Sequence, residues 1–79
     1  MNIQIKLFAD LAKFLPEGSA GKQSPLSVPE KITIRGVLEQ LGIPCKKARL
    51  IMVNGIHQRL DDVLQDGDLL SIFPPIAGG

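Results

Sequence analysis

Residues 33–44 read TIRGVLEQLGIP, which predicts one short amphipathic helix with both ends marked, the element around which the other segments can be placed. Within it, apolar side chains recur at spacing i, i+3, i+4 and i+7, which places them on one face. Thr33 is a residue type favoured at the N-cap. Gly42 can adopt the left-handed conformation that ends a helix, and Pro44 prevents continuation. We therefore expect a helix over residues 34–41 that buries one face.

Two further features concern the start of this helix. Ile32 and Val37 occupy the positions of a hydrophobic staple, in which the residue before the N-cap packs on the first turn. Gly36 weakens the helix by up to about 1 kcal/mol relative to Ala, unless a neighbouring group needs the space of the missing Cβ.

Alternation of polar and apolar residues predicts short strands on both sides of the helix. In residues 2–8, NIQIKLF, the side chains alternate in polarity, which is typical of a half-buried strand. Pro25 indicates that the second strand lies at the edge of the sheet, because proline cannot donate a ladder hydrogen bond. The predicted strands are residues 2–8, 24–28, 50–53, 56–59 and 69–73.

The connections between these segments are also marked. Residues 54–55, Asn-Gly, are a strong hairpin signal because both residue types tolerate positive φ. Residues 66–68, Asp-Gly-Asp, predict a second turn. Helical turns are expected at residues 11–15 and 60–64, and a loop at residues 16–21.

The resulting order, β-β-α-β-(β)-β, indicates an α+β fold with a mixed sheet of four to five strands packed on one main helix. We expect the first and last strands to lie side by side at the centre of the sheet. A chain of 79 residues has room for one domain, residues 1–79, with residues 74–79 as a flexible C-terminal tail.

The composition argues against several classes of protein. Nine basic and eight acidic side chains give a net charge of +1, without the basic stripe of a nucleic-acid binder. A single cysteine cannot form an internal disulfide. No apolar run approaches the roughly 20 residues that span a bilayer, and residues 1–8 lack the apolar core of a signal peptide. We therefore expect a soluble cytoplasmic protein whose partners are neither nucleic acids nor membranes.

The segment after the last predicted strand, residues 74–79, reads PPIAGG. Pro74 and Pro75 cannot donate ladder hydrogen bonds, so the strand has to end before them. Their fixed φ favours a semi-rigid extended segment that directs the following residues away from the domain. Six residues at about 3.3 Å each can reach roughly 20 Å.

Gly78 and Gly79 lack side chains, so their backbone can enter a narrow channel and approach a reacting centre closely. The group delivered there is the α-carboxylate of Gly79. A carboxylate is a poor electrophile until a partner activates it, most simply as an acyl-adenylate made with ATP, which a sulfur nucleophile can convert to a thiocarboxylate. A pair of terminal glycines alone is a weak signal, since most termini are frayed. Combined with Pro-Pro and the predicted strand order, it favours a functional tail.

Three motifs carry a resemblance to a known family. V-N-G at residues 53–55, D-G-D at 66–68 and S-I-F-P-P-I-A-G-G at 71–79 resemble the MoaD/ThiS family of ubiquitin-like sulfur carriers. Phe-Ala at residues 8–9 and the TIRGVL helix start are similar too, and the resemblance covers essentially the whole chain. It implies a ubiquitin-like β-grasp fold, adenylation by an E1-like enzyme and a C-terminal thiocarboxylate. It also implies a non-catalytic carrier that binds no cofactor itself.

Within that family, F-P-P-I-A-G-G resembles the small subunit of molybdopterin synthase, whereas thiamin-thiazole carriers usually lack the Pro-Pro pair. The resemblance implies that the tail enters the large subunit of that synthase and gives sulfur to a pterin precursor. The residues expected to bind partners are Phe73, Pro74, Pro75, Ile76 and Ala77. A thiamin-thiazole carrier, a protein modifier conjugated through Gly79 and a plain β-grasp binding module remain alternatives.

Phe73 is the aromatic residue nearest the tail. In the last predicted strand, Leu70 and Ile72 share one face and Phe73 lies on the other. If the first two fill the core, Phe73 is exposed beside the tail and can serve as an interface anchor. The alternative is that Phe73 closes the end of the sheet.

Several other residues have a structural and a functional interpretation. His57 has no visible metal-binding or catalytic companions, so we interpret it as a surface residue of the hairpin. Cys45 is better explained as an inert thiol than as a sulfur relay. Lys46, Lys47 and Arg49 form a small basic cluster that is either solvated or docks on an acidic partner.

Overall fold

The computed structural model describes residues 1–16 and 23–75, and within these ranges the chain forms one mixed five-stranded sheet and one α-helix. The predicted α+β class is confirmed. The strands are β1 (Asn2–Leu7), β2 (Gln23–Ser27), β3 (Leu50–Val53), β4 (Ile56–His57) and β5 (Leu69–Phe73). The helix α1 spans Ile34–Leu41, and two 3₁₀ helices span Ala9–Phe14 and Cys45–Lys47.

The strand order in the sheet is β2-β1-β5-β3-β4. The first and last strands are central neighbours and run parallel, with Gln4 opposite Leu69 and Leu7 opposite Ile72, as predicted. The other neighbouring strands pair antiparallel. Because β1 and β5 are parallel, the residues that follow both strands emerge at the same edge of the sheet.

One face of the sheet and one face of α1 form the core. Alternate residues of the two central strands are buried, which the period-2 pattern predicts. Full burial of each such aliphatic side chain contributes about 1.5–3 kcal/mol. The core side chains with essentially no exposed surface are those of Ile3, Ile5, Leu7, Leu11, Ile34, Val37, Leu38, Leu70 and Ile72.

Both predicted ends of α1 are confirmed. The Thr33 Oγ1 atom accepts a hydrogen bond of 3.1 Å from the backbone N–H of Gly36. Gly42 adopts φ +80° as the left-handed C-cap. A Cβ on Gly36 would lie 2.8 Å from Cγ1 of Ile32. Glycine is therefore the residue that leaves room for Ile32 here, although it lowers the stability of the helix.

The predicted helical turn at residues 60–64 is confirmed only at its start, where Asp62 N donates to the Arg59 carbonyl at 3.0 Å, and residues 62–64 are not helical. This segment runs alongside the start of α1, where the backbone N–H groups of a helix have no partners within the helix. The Leu60 carbonyl accepts from Arg35 N at 2.8 Å, and the Asp62 carbonyl accepts from Ile34 N at 3.1 Å. Leu64 N in turn donates to the Ile32 carbonyl at 2.9 Å. Pairing with the helix start satisfies these groups, so the turn does not continue through residues 62–64.

The turn predictions hold with small changes in length. Asn54 and Gly55 have φ values of 52° and 82°, as the hairpin requires, but β4 is only two residues long instead of four. Pro25 lies in β2 at the edge of the sheet. Of the predicted loop, residues 17–21 lie outside the described residues. No described helix has the length and apolar character needed to cross a membrane.

Candidate docking site at the tail exit

The C-terminal end of β5 is held from both sides by the neighbouring strands. The carbonyl of Ile72 accepts a hydrogen bond of 3.2 Å from Phe8 N, and the carbonyl of Phe73 accepts one of 2.9 Å from Arg49 N. Pro74 and Pro75 follow and have no N–H to extend the ladder. The chain therefore leaves the sheet from its central strand, between the end of β1 and the start of β3.

The Phe8 and Phe73 rings stack at this exit, with centroids 4.0 Å apart and planes inclined by 12°. Leu70 and Ile72 fill the core as expected. The expected exposure of Phe73 is found only in part, because Phe8 covers its ring and leaves it half-buried. Phe73 thus closes the end of the sheet and still presents part of its surface. The Lys6 ammonium lies 5.4 Å from the Phe8 ring centroid, a cation–π arrangement.

A groove of about 590 Å³ opens beside the stacked rings. Its floor is mainly apolar, and Leu50 on the side of β3 is 38% exposed. Asp10 and Arg49 are its two charged residues. The groove is lined by Phe8, Ala9, Asp10, Arg49, Leu50, Phe73, Pro74 and Pro75. An apolar surface of this kind, directly at the root of the tail, can bind a partner protein.

The structure brings together only some of the residues singled out in the sequence. Phe73, Pro74 and Pro75 line the groove together, whereas residues 76–79, including Ile76, Ala77, Gly78 and Gly79, lie outside the described residues. Within the basic cluster, only Arg49 lines the groove. His57 is exposed on β4, as expected.

Cys45 is half-buried, and its Sγ atom lies 3.8 Å from Nη1 of Arg35. The Arg35 guanidinium also pairs with the Asp61 carboxylate, with 3.1 Å between Nε and Oδ1. This hydrogen bond and charge raise the pKa of Arg35 above its ordinary value. The Arg35 pair is exposed, so it adds little to stability.

Phe8 and Leu50 were not selected as site residues from the sequence. The signal that identifies Phe8 is the predicted pairing of the first and last strands. When two strands run parallel in register, the residue after β1 comes to lie beside the last residue of β5. Leu50 enters the site because it lies opposite Phe73 in the antiparallel pair of β3 and β5.

The V-N-G and D-G-D motifs meet at the other end of β5. Asn54 Nδ2 donates to Asp68 Oδ1 at 2.9 Å, and Asn54 Oδ1 accepts from Leu69 N at 2.9 Å. Asp68 Oδ2 accepts from Gln65 N at 2.8 Å. These contacts hold the start of the central strand, so the two motifs act in folding. The described residues contain no group of three or more metal-ligating side chains.

A mixed sheet of this order over one helix, with a tail leaving the central strand, defines the chain as a ubiquitin-like β-grasp protein. The model of the Mut7-C ubiquitin family matches residues 1–77, and the chain belongs to this family. No curated protein matches the sequence.

Solved structures agree with this assignment. The chain is similar to SAMP1 of Haloferax volcanii, a small archaeal modifier protein, with a TM-score of 0.71 and 28% identity over 100% of both chains. A protein of Pyrococcus furiosus described as molybdopterin converting factor, subunit 1, has a TM-score of 0.68 and 24% identity, over 95% of this chain and 98% of that one.

A third similar structure is a complex of subunits 1 and 2 of the molybdopterin-converting factor of Helicobacter pylori. Its matching chain has a TM-score of 0.54 and 21% identity over 100% of both chains. The predicted ubiquitin-like β-grasp fold is confirmed, and the two molybdopterin converting factor structures share this fold.

Proposed function

We propose that this protein is a sulfur carrier whose C-terminal carboxylate, on Gly79, is activated by an E1-like adenylating enzyme and converted to a thiocarboxylate. The observation that supports this most directly is the exit of the chain from the central strand, beside an apolar groove. A domain that presents its tail next to a docking surface can hold that tail in another protein's active site. In this proposal the chain itself is not an enzyme, and it acts in the cytoplasm.

The proposed chemistry needs only the terminal carboxylate from this chain. A carboxylate oxygen attacks the α-phosphorus of ATP, pyrophosphate leaves, and an acyl-adenylate forms. A sulfide-level nucleophile then attacks the activated carbonyl, and AMP leaves to give the thiocarboxylate. Gly78 and Gly79 provide the narrow backbone that lets the carbonyl approach both reacting groups. ATP belongs to the partner, and this chain binds no cofactor in the proposal.

The acceptor that we propose is the large subunit of molybdopterin synthase, with sulfur passing to a pterin precursor. The tail motif F-P-P-I-A-G-G supports it, because carriers of thiamin-thiazole synthesis usually lack Pro-Pro. The complex of subunits 1 and 2 from Helicobacter pylori provides a precedent for such an assembly in a protein of the same fold.

A second candidate function is protein modification, with Gly79 joined to lysine side chains of target proteins. The observation that favours it is the 28% identity to a small archaeal modifier protein over the full length of both chains. Both functions use the same adenylated tail. They differ in the nucleophile that receives the acyl group, which is a sulfur species in one and an amine in the other.

Intact-mass spectrometry separates the two candidates. The chain is co-expressed with the E1-like adenylating enzyme of the same genome, and a variant lacking Gly79 is the matched control. A carrier gains the mass difference of oxygen to sulfur at its C-terminus, and the control does not. Adducts linked through isopeptide bonds, without the thiocarboxylate, would instead establish the modifier. Unchanged mass and no adducts would refute both.

A further inference from the structure

Charged groups are distributed unevenly between the two ends of the central strand β5. At its start, Asp66 accepts from Asn2 N at 2.8 Å, and Asp68 accepts from Asn54 and Gln65. Both carboxylates are therefore engaged within the chain. The five residues of β5 separate this end from the tail exit by roughly 16 Å.

The tail exit carries two cations, Lys6 and Arg49. The Lys6 ammonium lies over the Phe8 ring, and Arg49 is an exposed groove residue whose backbone N–H binds the Phe73 carbonyl. Neither cation forms an ion pair with any described residue. Cations that find no counter-ion in their own chain can interact with a carboxylate supplied by a partner.

Asp10 is the acidic residue of the groove, and it lies on the opposite flank from Arg49. The sheet order places the end of β1 on one side of β5 and the start of β3 on the other. Two strand spacings separate the flanks, about 10 Å, and Asp10 forms no ion pair with Arg49. The flank formed by β3 therefore carries the positive charge of Arg49, whereas on the flank after β1 the charges of Lys6 and Asp10 oppose each other.

We propose that the groove at the tail exit receives an acidic segment of the adenylating partner, and that Arg49 is the residue that selects it. This inference rests on the proposed function for the identity of the partner. Arg49 attracts a carboxylate of the incoming segment, while Asp10 repels it and so directs it to the flank formed by β3. The apolar floor between them binds the uncharged part of the segment. A partner bound in this orientation lies next to Pro74 and Pro75, where the tail begins.

Stopped-flow measurement of association with the same adenylating enzyme tests this inference. We expect Arg49→Glu to lower the association rate constant on the order of tenfold at about 20 mM NaCl. The effect should shrink strongly at about 500 mM NaCl, where charges are screened beyond a few ångströms. Asp10→Asn should raise the rate constant instead. Arg59→Glu is the matched control, because Arg59 is also exposed and does not line the groove.

The outcomes separate this inference from the function on which it rests. If the unaltered chain binds and Arg49→Glu associates no more slowly than Arg59→Glu, the inference is wrong and the proposed function stands. If the unaltered chain does not bind at all, both are wrong. Another possible occupant of the groove is a second copy of this chain, and sedimentation equilibrium of the chain alone tests for it. A dimer that Arg49→Glu dissociates would show that a second copy, pairing Arg49 with Asp10, fills the groove instead.

Discussion

Phe8 and Phe73 stack with a centroid separation of 4.0 Å, although 64 residues lie between them in the sequence. The contact exists because the two strands are parallel neighbours whose ends coincide. It joins the first strand to the residue from which the tail departs. The ring pair therefore defines where the tail begins, and it forms part of the floor of the docking groove.

A double-mutant cycle on the ring pair should reveal coupling between the two residues. Phe8→Leu and Phe73→Leu each remove the ring and keep an apolar side chain of similar reach. We expect a coupling energy of about 0.5–1.5 kcal/mol from urea denaturation, the usual contribution of an aromatic pair beyond its buried area. Phe14→Leu combined with Phe73→Leu is the control cycle. Equal coupling in both cycles would contradict a specific stack.

Replacing Pro74 or Pro75 by alanine should slow thiocarboxylate formation without affecting the fold. Each of Pro74→Ala and Pro75→Ala adds about 0.4–1 kcal/mol of backbone conformational entropy to the unbound tail. We expect kcat/KM for thiocarboxylate formation to fall about two- to fivefold for each change, with an unaltered melting temperature. Pro29→Ala, at an exposed proline outside the groove, should leave the rate unchanged. Full activity of the Pro74→Ala, Pro75→Ala double variant would rule out this role.

Gly36→Ala should destabilise the protein, although alanine is the better helix former by about 1 kcal/mol. The reason is the 2.8 Å distance from the new Cβ to Cγ1 of Ile32. We expect a loss of about 1–2 kcal/mol in the free energy of unfolding, as for other overpacked sites. In an Ile32→Ala background the same change should become neutral or stabilising. Stabilisation in both backgrounds would show that the close contact carries no cost.

Two substitutions of Asn54 should separate the contribution of its side-chain hydrogen bonds to stability from the contribution of its positive φ. Asn54→Gly keeps the positive φ of 52° accessible but removes both side-chain hydrogen bonds, so we expect a loss of about 1–2 kcal/mol. Asn54→Ala should cost about 1 kcal/mol more, because alanine is strained in the left-handed region. Gln65→Ala is the control for this surface. Equal free energies of unfolding for Asn54→Gly and Asn54→Ala would show that alanine is not strained in the backbone conformation of this position.

The candidate docking site was only partly predictable because its members come from three strand ends. Phe73, Pro74 and Pro75 are consecutive, and their roles follow from side-chain alternation and from the missing proline N–H. Phe8 joins them through the predicted pairing of β1 with β5, but its ring contact with Phe73 depends on the exact register of that pair. The predicted helical turn at residues 60–64 ends after its first residues for a similar reason. Its backbone groups bond to the start of α1, a partner that local patterns do not reveal.

The helices and strands of this protein follow largely from local sequence patterns. Local periodicity specifies α1 and the strands, while residues such as Thr33, Gly42 and Asn54 specify their ends, because these preferences act within a few residues. The meeting of the ends of β1, β3 and β5 at the tail exit becomes visible in the folded chain alone. The Phe8–Phe73 stack and the opposed charges of Asp10 and Arg49 depend on strand order and register, which arise from contacts between distant segments.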